Sequence, residues 1–127
     1  MGNLVLIADD DADIVRFVAL NLRLEGFEVV VADNGQDALD TALDARPALI
    51  LLDTMMPRMD GYEVCARLRD QRPEEPIPVI MLTAKSLDAD RAMAMHAGAD
   101  DWVTKPFDPA DLVSKVKDHL HLAARRA

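Results

Sequence analysis

Cysteine is almost absent: Cys65 is the only one in 127 residues, which excludes an intrachain disulfide and a Cys-rich zinc site. Long apolar runs are absent too. None approaches the roughly 18 residues of a membrane span, and no basic stretch precedes an apolar one at the N-terminus. Neither a spanning helix nor a signal peptide is therefore expected, and a reducing cytoplasm is the expected compartment. Basic residues are in the minority. The 14 Lys and Arg face 23 Asp and Glu, a formal net charge of −9, which is a poor footprint for nucleic acid. The Gly-rich dinucleotide fingerprint is missing, and no linker, repeat or low-complexity segment breaks the chain. Its length and 50% hydrophobic content fit one domain, residues 1–127, with an ordinary core.

What is abundant is aspartate, 18 residues against 5 glutamates. Asp favours caps, turns and metal sites over helix interiors, so many of these acids should lie at element ends. Apolar runs alternate with amphipathic stretches along the whole chain. The runs predict strands at Leu4–Ala8, Glu28–Ala32, Ala48–Asp53, Ile77–Leu82 and Asp101–Val103. Helical periodicity falls near 12–25, 35–45, 61–70, 87–97 and 109–123, the last with Asp108 as N-cap and Pro109 at its first position. Gly26, Gly35, Gly61 and Gly98 mark junctions, and Pro73, Pro76 and Pro78 mark the approach to the fourth strand. Five βα units predict an α/β fold, a doubly wound five-stranded parallel sheet with helices on both faces and right-handed crossovers.

The strand ends collect chemistry. Five apolar residues, Ala48–Leu52, run straight into Asp53, with Pro57 and Gly61 just beyond. Taken alone, Asp53 reads equally as a reactive carboxylate on a rigid strand or as the residue that ends the strand and caps a turn. The first strand runs into Asp9, Asp10 and Asp11, the fourth ends near Thr83, and the fifth leads to Lys105-Pro106. In a parallel sheet these ends share one edge. One of the three consecutive acids is explained by capping the next helix; three are not. Several carboxylates this close repel unless a cation joins them or some are protonated. Lys105 is the one well-placed cation in the sequence, and a hard divalent ion, Mg²⁺ first, would complete the balance.

At these residues the sequence resembles the receiver domain of bacterial two-component response regulators, most like those of winged-helix regulators. "LIADDDADI" is similar to the acidic-pair loop, "LILLDTMMPRMDGYE" to the phosphorylation segment, "VIMLTAK" to the Thr strand and "AGADDWVTKPFDPADL" to the Lys-Pro segment. The resemblance covers essentially the whole chain. It implies a flavodoxin-like (βα)5 fold, a phosphoryl group on Asp53, and Mg²⁺ held by Asp9, Asp10, Asp53 and the Met55 carbonyl. It implies phosphoryl contacts from Thr83 and Lys105 and a cis bond between Lys105 and Pro106. Asp11 has no role in the family pattern and is left as the N-cap. On this reading the chain is not an enzyme but a phosphoacceptor that catalyses its own phosphorylation and slow dephosphorylation. Its partner is a histidine kinase or phosphotransfer protein, and it touches neither nucleic acid nor membrane directly.

The same resemblance makes Thr83 and Trp102 a coupled switch, with Trp in place of the usual Tyr or Phe. Met55 and Lys85 flank the path of the hydrolytic water, and neither offers an acceptor to orient it. A phosphorylation-dependent homodimer through the fourth helix, fifth strand and fifth helix would pair Arg91 with Asp111 and Asp101 with Lys115. A third family pair fails here, because Leu122 stands where a base would face Asp100. The rivals are weaker. A dehalogenase-like phosphatase needs a second Asp where Met55 stands, and a flavodoxin-type phosphate loop would be repelled by "DDDAD". The nearest alternative is a catalytically inactive pseudo-receiver that serves as a protein-interaction module. Whether the chain stands alone or belongs to a longer regulator is left open by its sequence.

Overall fold

The computed structural model describes residues 3–84 and 88–126. Strands and helices alternate throughout: β1 (Leu4–Ala8), α1 (Ala12–Leu24), β2 (Glu28–Ala32), α2 (Gly35–Ala45), β3 (Leu49–Asp53), α3 (Gly61–Gln71), β4 (Val79–Thr83), α4 (Asp88–His96), β5 (Asp101–Thr104) and α5 (Pro109–Arg126). The five strands form one parallel sheet in the order β2-β1-β3-β4-β5. This is the doubly wound α/β architecture predicted from the alternating pattern.

The three central strands, β1, β3 and β4, read as unbroken apolar runs because both faces of the sheet are covered there. Side chains alternate across it. Val5, Ile7, Leu49, Leu51, Ile80 and Leu82 share a core with Val18 and Leu22 of α1 and with Leu112 and Val116 of α5. The intervening Leu6, Ala8, Ile50, Leu52 and Met81 share the other core with α2, α3 and Ala94 of α4. Each fully buried Leu or Ile contributes about 1.5–3 kcal/mol through lost contact with water. The chain winds outward from β1 to β2 and then back across to β3, so the topological switch lies between β1 and β3. In such sheets the crevice at the carboxyl end of the switch is where ligands bind.

The aspartates lie where their propensity predicts. Asp11 caps α1, accepting from the backbone N–H groups of Asp13 and Ile14 at 3.0 and 3.3 Å, and Asp60 caps α3 through Glu63 N–H at 2.8 Å. At the head of α5, Asp108 accepts from Ala110 N–H at 2.8 Å. The fourth strand starts two residues later than predicted. Pro78 has no N–H to give the ladder, and the Ile77 carbonyl is taken by the Arg69 guanidinium at 2.6 Å. Among the described residues, no helix is long and apolar enough to cross a membrane.

Candidate functional site: an acidic crevice at the sheet edge

Four strand ends, those of β1, β3, β4 and β5, build the crevice. Asp9 follows β1, and its backbone N–H continues the ladder to the Ala32 carbonyl at 3.1 Å. Its side chain is buried. One carboxylate oxygen accepts from Asp11 N–H at 2.9 Å, and the other accepts from Lys105 Nζ at 2.8 Å. Asp53 is the last residue of β3 and only 5% exposed. Its Oδ1 accepts from Met55 N–H at 3.2 Å and lies 3.5 Å from Lys105 Nζ. Asp10 is exposed beside them, and one oxygen from each of Asp9, Asp10 and Asp53 can be chosen so that all lie within 4.8 Å of one another.

Thr83 is the last residue of β4 and is buried. It pairs in register with Thr104 of β5, and the next N–H, that of Lys105, donates to the Thr83 carbonyl at 2.7 Å. Thr83 and Lys105 are thereby held side by side on the same rim. The Lys105–Pro106 bond is cis, as the resemblance implied.

Charge is unbalanced in this crevice. Burial pushes the Asp53 carboxyl up to about 6, and the neighbouring Asp9 charge adds to this, against the Met55 N–H and Lys105. Burial pulls the Lys105 ammonium down, but its hydrogen bond to Asp9 and the charges of Asp53 and Asp9 outweigh that and raise it. Three carboxylates therefore face one ammonium. Their donors are all hard oxygens, with an excess of negative charge and a strand-end carboxyl that resists ionisation. That is the donor set a hard divalent cation such as Mg²⁺ takes, and among the described residues it is the only such cluster.

Met55 borders the crevice and is 63% exposed. The remaining candidates sit away from it. Trp102 is half-buried on β5, and the Arg91 guanidinium of α4 stacks over its ring at 4.8 Å from the centroid. The Arg91 Nε is buried and, among the described residues, has no hydrogen-bond partner. Neither Arg91 nor Asp111 forms an ion pair among those residues; Asp111 is exposed in the first turn of α5. Asp101 and Lys115, considered above as partners between two copies, pair within one chain at 3.1 Å. His119 also reaches Asp101, at 2.9 Å. Burial raises the Asp101 carboxyl, but the bonds from His119, Trp102 N–H and Lys115 overcome it and leave it below its ordinary value. Sequence reading missed His119; its one signal is the four-residue spacing from Lys115 on α5. Lys85 lies outside the described residues.

The comparisons agree with this fold. The family model described as the response regulator receiver domain matches residues 5–117. The chain is 41% identical over 117 residues to the alkaline phosphatase synthesis transcriptional regulatory protein PhoP of Bacillus subtilis, covering 92% of this chain and 48% of that protein. It thus spans about half the length of that curated relative. Among solved structures, the CheY-like receiver domain protein of Methanospirillum hungatei superposes with a TM-score of 0.92 at 29% identity, covering 100% of both chains. The response regulator DrrB, a Thermotoga maritima OmpR/PhoB homolog, gives 0.87 at 35% identity, covering 97% of this chain and 54% of that one. Acid cluster, strand-end Asp53, Thr83 and Lys105 occupy one rim of a doubly wound sheet, and with the family match over residues 5–117, the chain belongs to the response regulator receiver domains of two-component signalling systems.

Proposed function

We propose that Asp53 is the phosphoacceptor of this receiver and that the rim around it performs a Mg²⁺-dependent transfer from a histidine kinase or phosphotransfer protein. The observation that carries the reading is the approach of Lys105 Nζ to both buried carboxylates, 2.8 Å from Asp9 and 3.5 Å from Asp53. An Asp53 oxygen forms the new O–P bond while the N–P bond of a phosphohistidine breaks. The electron pair leaves with the imidazole, which is protonated from solvent. No general base is needed, because Asp53 is mostly ionised at neutral pH with its carboxyl near 6. It is a covalent carboxylate nucleophile.

Positioning and electrostatics do most of the work in such transfers. Lys105 pairs with a phosphoryl oxygen, and the Thr83 hydroxyl donates to another. Asp9, Asp10, Asp53 and the Met55 carbonyl would hold Mg²⁺, and its positive charge would offset that of the phosphoryl oxygens. Trp102 and Thr83 form the switch, and its output is the face of α4, β5 and α5. There Arg91 and Asp111, which form no ion pair among the described residues, are the charges offered to a partner or to a second copy, while Asp101 and Lys115 pair within the chain. Residues 1–127 act as one receiver domain in the cytoplasm, and this domain makes no direct contact with nucleic acid. Dephosphorylation is slow, because the exposed Met55 side chain gives water nothing to bind.

A small phosphodonor tests the reading. With Mg²⁺ present, the intact protein gains the mass of one phosphoryl group; the gain is lost with a chelator or in Asp53→Asn. A folded protein that stays unmodified under these conditions is instead an inactive pseudo-receiver.

A further inference from the structure

The head of α2 closes on the loop after Asp53, and the approach leaves no room for a side chain. A Cβ on Gly35 would lie 1.8 Å from the Met59 carbonyl oxygen and 2.5 Å from Met59 Cβ. Gly35 N–H donates to the Pro57 carbonyl at 3.2 Å. Gly35 is not among the residues with positive φ, so the glycine answers to space and not to backbone conformation. At a helical position alanine would otherwise be better by about 1 kcal/mol.

The loop needs such a hold. Met59 N–H returns to the same Pro57 carbonyl at 2.8 Å, closing a three-residue turn around Arg58 at φ 70°. A γ-turn with positive φ at its centre is the strained form, and left-handed backbone costs a non-glycine residue about 1–2 kcal/mol. Met59 itself is buried in the core that contains Ala38 and Leu39 of α2. The head of α2 is rigid: Asn34, 7% exposed, accepts from Asp37 N–H and donates to the Asp33 and Asp37 carboxylates, each at 2.9 Å. At its other end the loop is pinned by Gly61, whose N–H donates to the Thr54 carbonyl at 3.1 Å. A Cβ on Gly61 would lie 2.2 Å from the Asp53 carbonyl oxygen. Met55 lies between the two pins.

We propose that Gly35 is a positioning residue of the phosphorylation site: by admitting the Pro57–Met59 turn against α2, it fixes the loop that carries Met55 and so sets Mg²⁺ affinity. This rests on the phosphoacceptor reading above. Calorimetric titration of the metal-free protein with Mg²⁺, paired with a thermal melt, tests it. Gly35→Ala should bind Mg²⁺ about 10-fold more weakly, as expected when a group supporting a metal ligand is displaced, and wild-type affinity in a folded Gly35→Ala would overturn the proposal. If that variant does not fold, Met59→Ala, which loosens the loop, is compared with Val116→Ala, which weakens the opposite core. Weaker Mg²⁺ binding in Met59→Ala alone supports the proposal; equal affinity in the two overturns it. Wild type that binds no Mg²⁺ overturns the phosphoacceptor reading and this proposal together.

Discussion

Lys105 Nζ lies 2.8 Å from Asp9 Oδ2 across 96 positions of sequence. The ammonium thus ties the last strand end to the first while sitting 3.5 Å from Asp53. On the proposed reading it competes with a cation for the acids, because it occupies an Asp9 oxygen, and it serves an incoming phosphoryl group. Lys105→Ala should therefore bind Mg²⁺ a few-fold more tightly, since one positive charge leaves the cluster. Its phosphorylation by a small donor should slow by about 100-fold, in line with loss of one transition-state donor. Mg²⁺ titration and mass-based kinetics on the same variant check both halves.

The Asp53 carboxyl, raised to about 6 from 3.8, gives a stability prediction with a definite sign. Between these values the folded state binds more protons than the unfolded one, so metal-free stability falls as pH rises through the window. Asp53→Asn removes the charge and should be more stable than wild type at pH 7, on the order of 1–2 kcal/mol. The difference should vanish below pH 4. Urea unfolding of both proteins, without Mg²⁺, from about pH 3 to pH 7 measures it.

Asp10 and Asp11 are adjacent but separable. Asp10 belongs to the carboxylate cluster, whereas Asp11 caps α1. Asp10→Asn should weaken Mg²⁺ binding severely with little loss of stability. Asp11→Asn should change neither property, because Asn caps equally well, while Asp11→Ala should cost about 1 kcal/mol of stability. Mg²⁺ titrations and melts on the three variants separate the two roles.

Trp102, the only tryptophan, lies on the face proposed as the output. It is stacked under Arg91, and removing the guanidinium in Arg91→Ala should cost about 0.5–1 kcal/mol and increase quenching of Trp102 by iodide. Beryllofluoride modification of wild type should also change the quenching. If the same face pairs two copies, the modified protein will sediment as a dimer at low salt, and Arg91→Glu will abolish it. Unchanged quenching and a monomer at low salt would count against the switch.

Much of the fold was legible because the sheet is covered on both faces and writes itself as short apolar runs. Leu4–Ala8 and Glu28–Ala32 match their predicted bounds. The shift at Ile77 came from a tertiary event, the capture of its carbonyl by Arg69, which no local pattern announces. The crevice was legible for a related reason: parallel strands bring their carboxyl ends to one edge, so Asp9, Asp53, Thr83 and Lys105 could be grouped as strand-end residues. Side-chain partners beyond that edge were not. Arg91 stacks on Trp102, and Asp101 turns to His119 and Lys115 of its own chain. These depend on how α4 and α5 lie against β5, which charge spacing does not encode. Gly35 read as ordinary punctuation until the backbone of Met59 was seen against it.

Phosphoryl lifetime follows from the groups around the acyl phosphate. Met55 is exposed and has no acceptor, so wild type should hold its phosphoryl group for minutes or longer. Met55→Asn combined with Lys85→Glu should shorten the half-life, read as loss of phosphoprotein mass after the donor is removed.

The central claim is that Asp53 is the nucleophile, and locating the modification tests it most directly. The protein is treated with a small phosphodonor and Mg²⁺, any acyl phosphate is reduced with borohydride, and the peptides are sequenced by mass spectrometry. The account predicts homoserine at position 53 and nowhere else. Reduction product at Asp9 or Asp10, or none at position 53 in a phosphorylated sample, would contradict it.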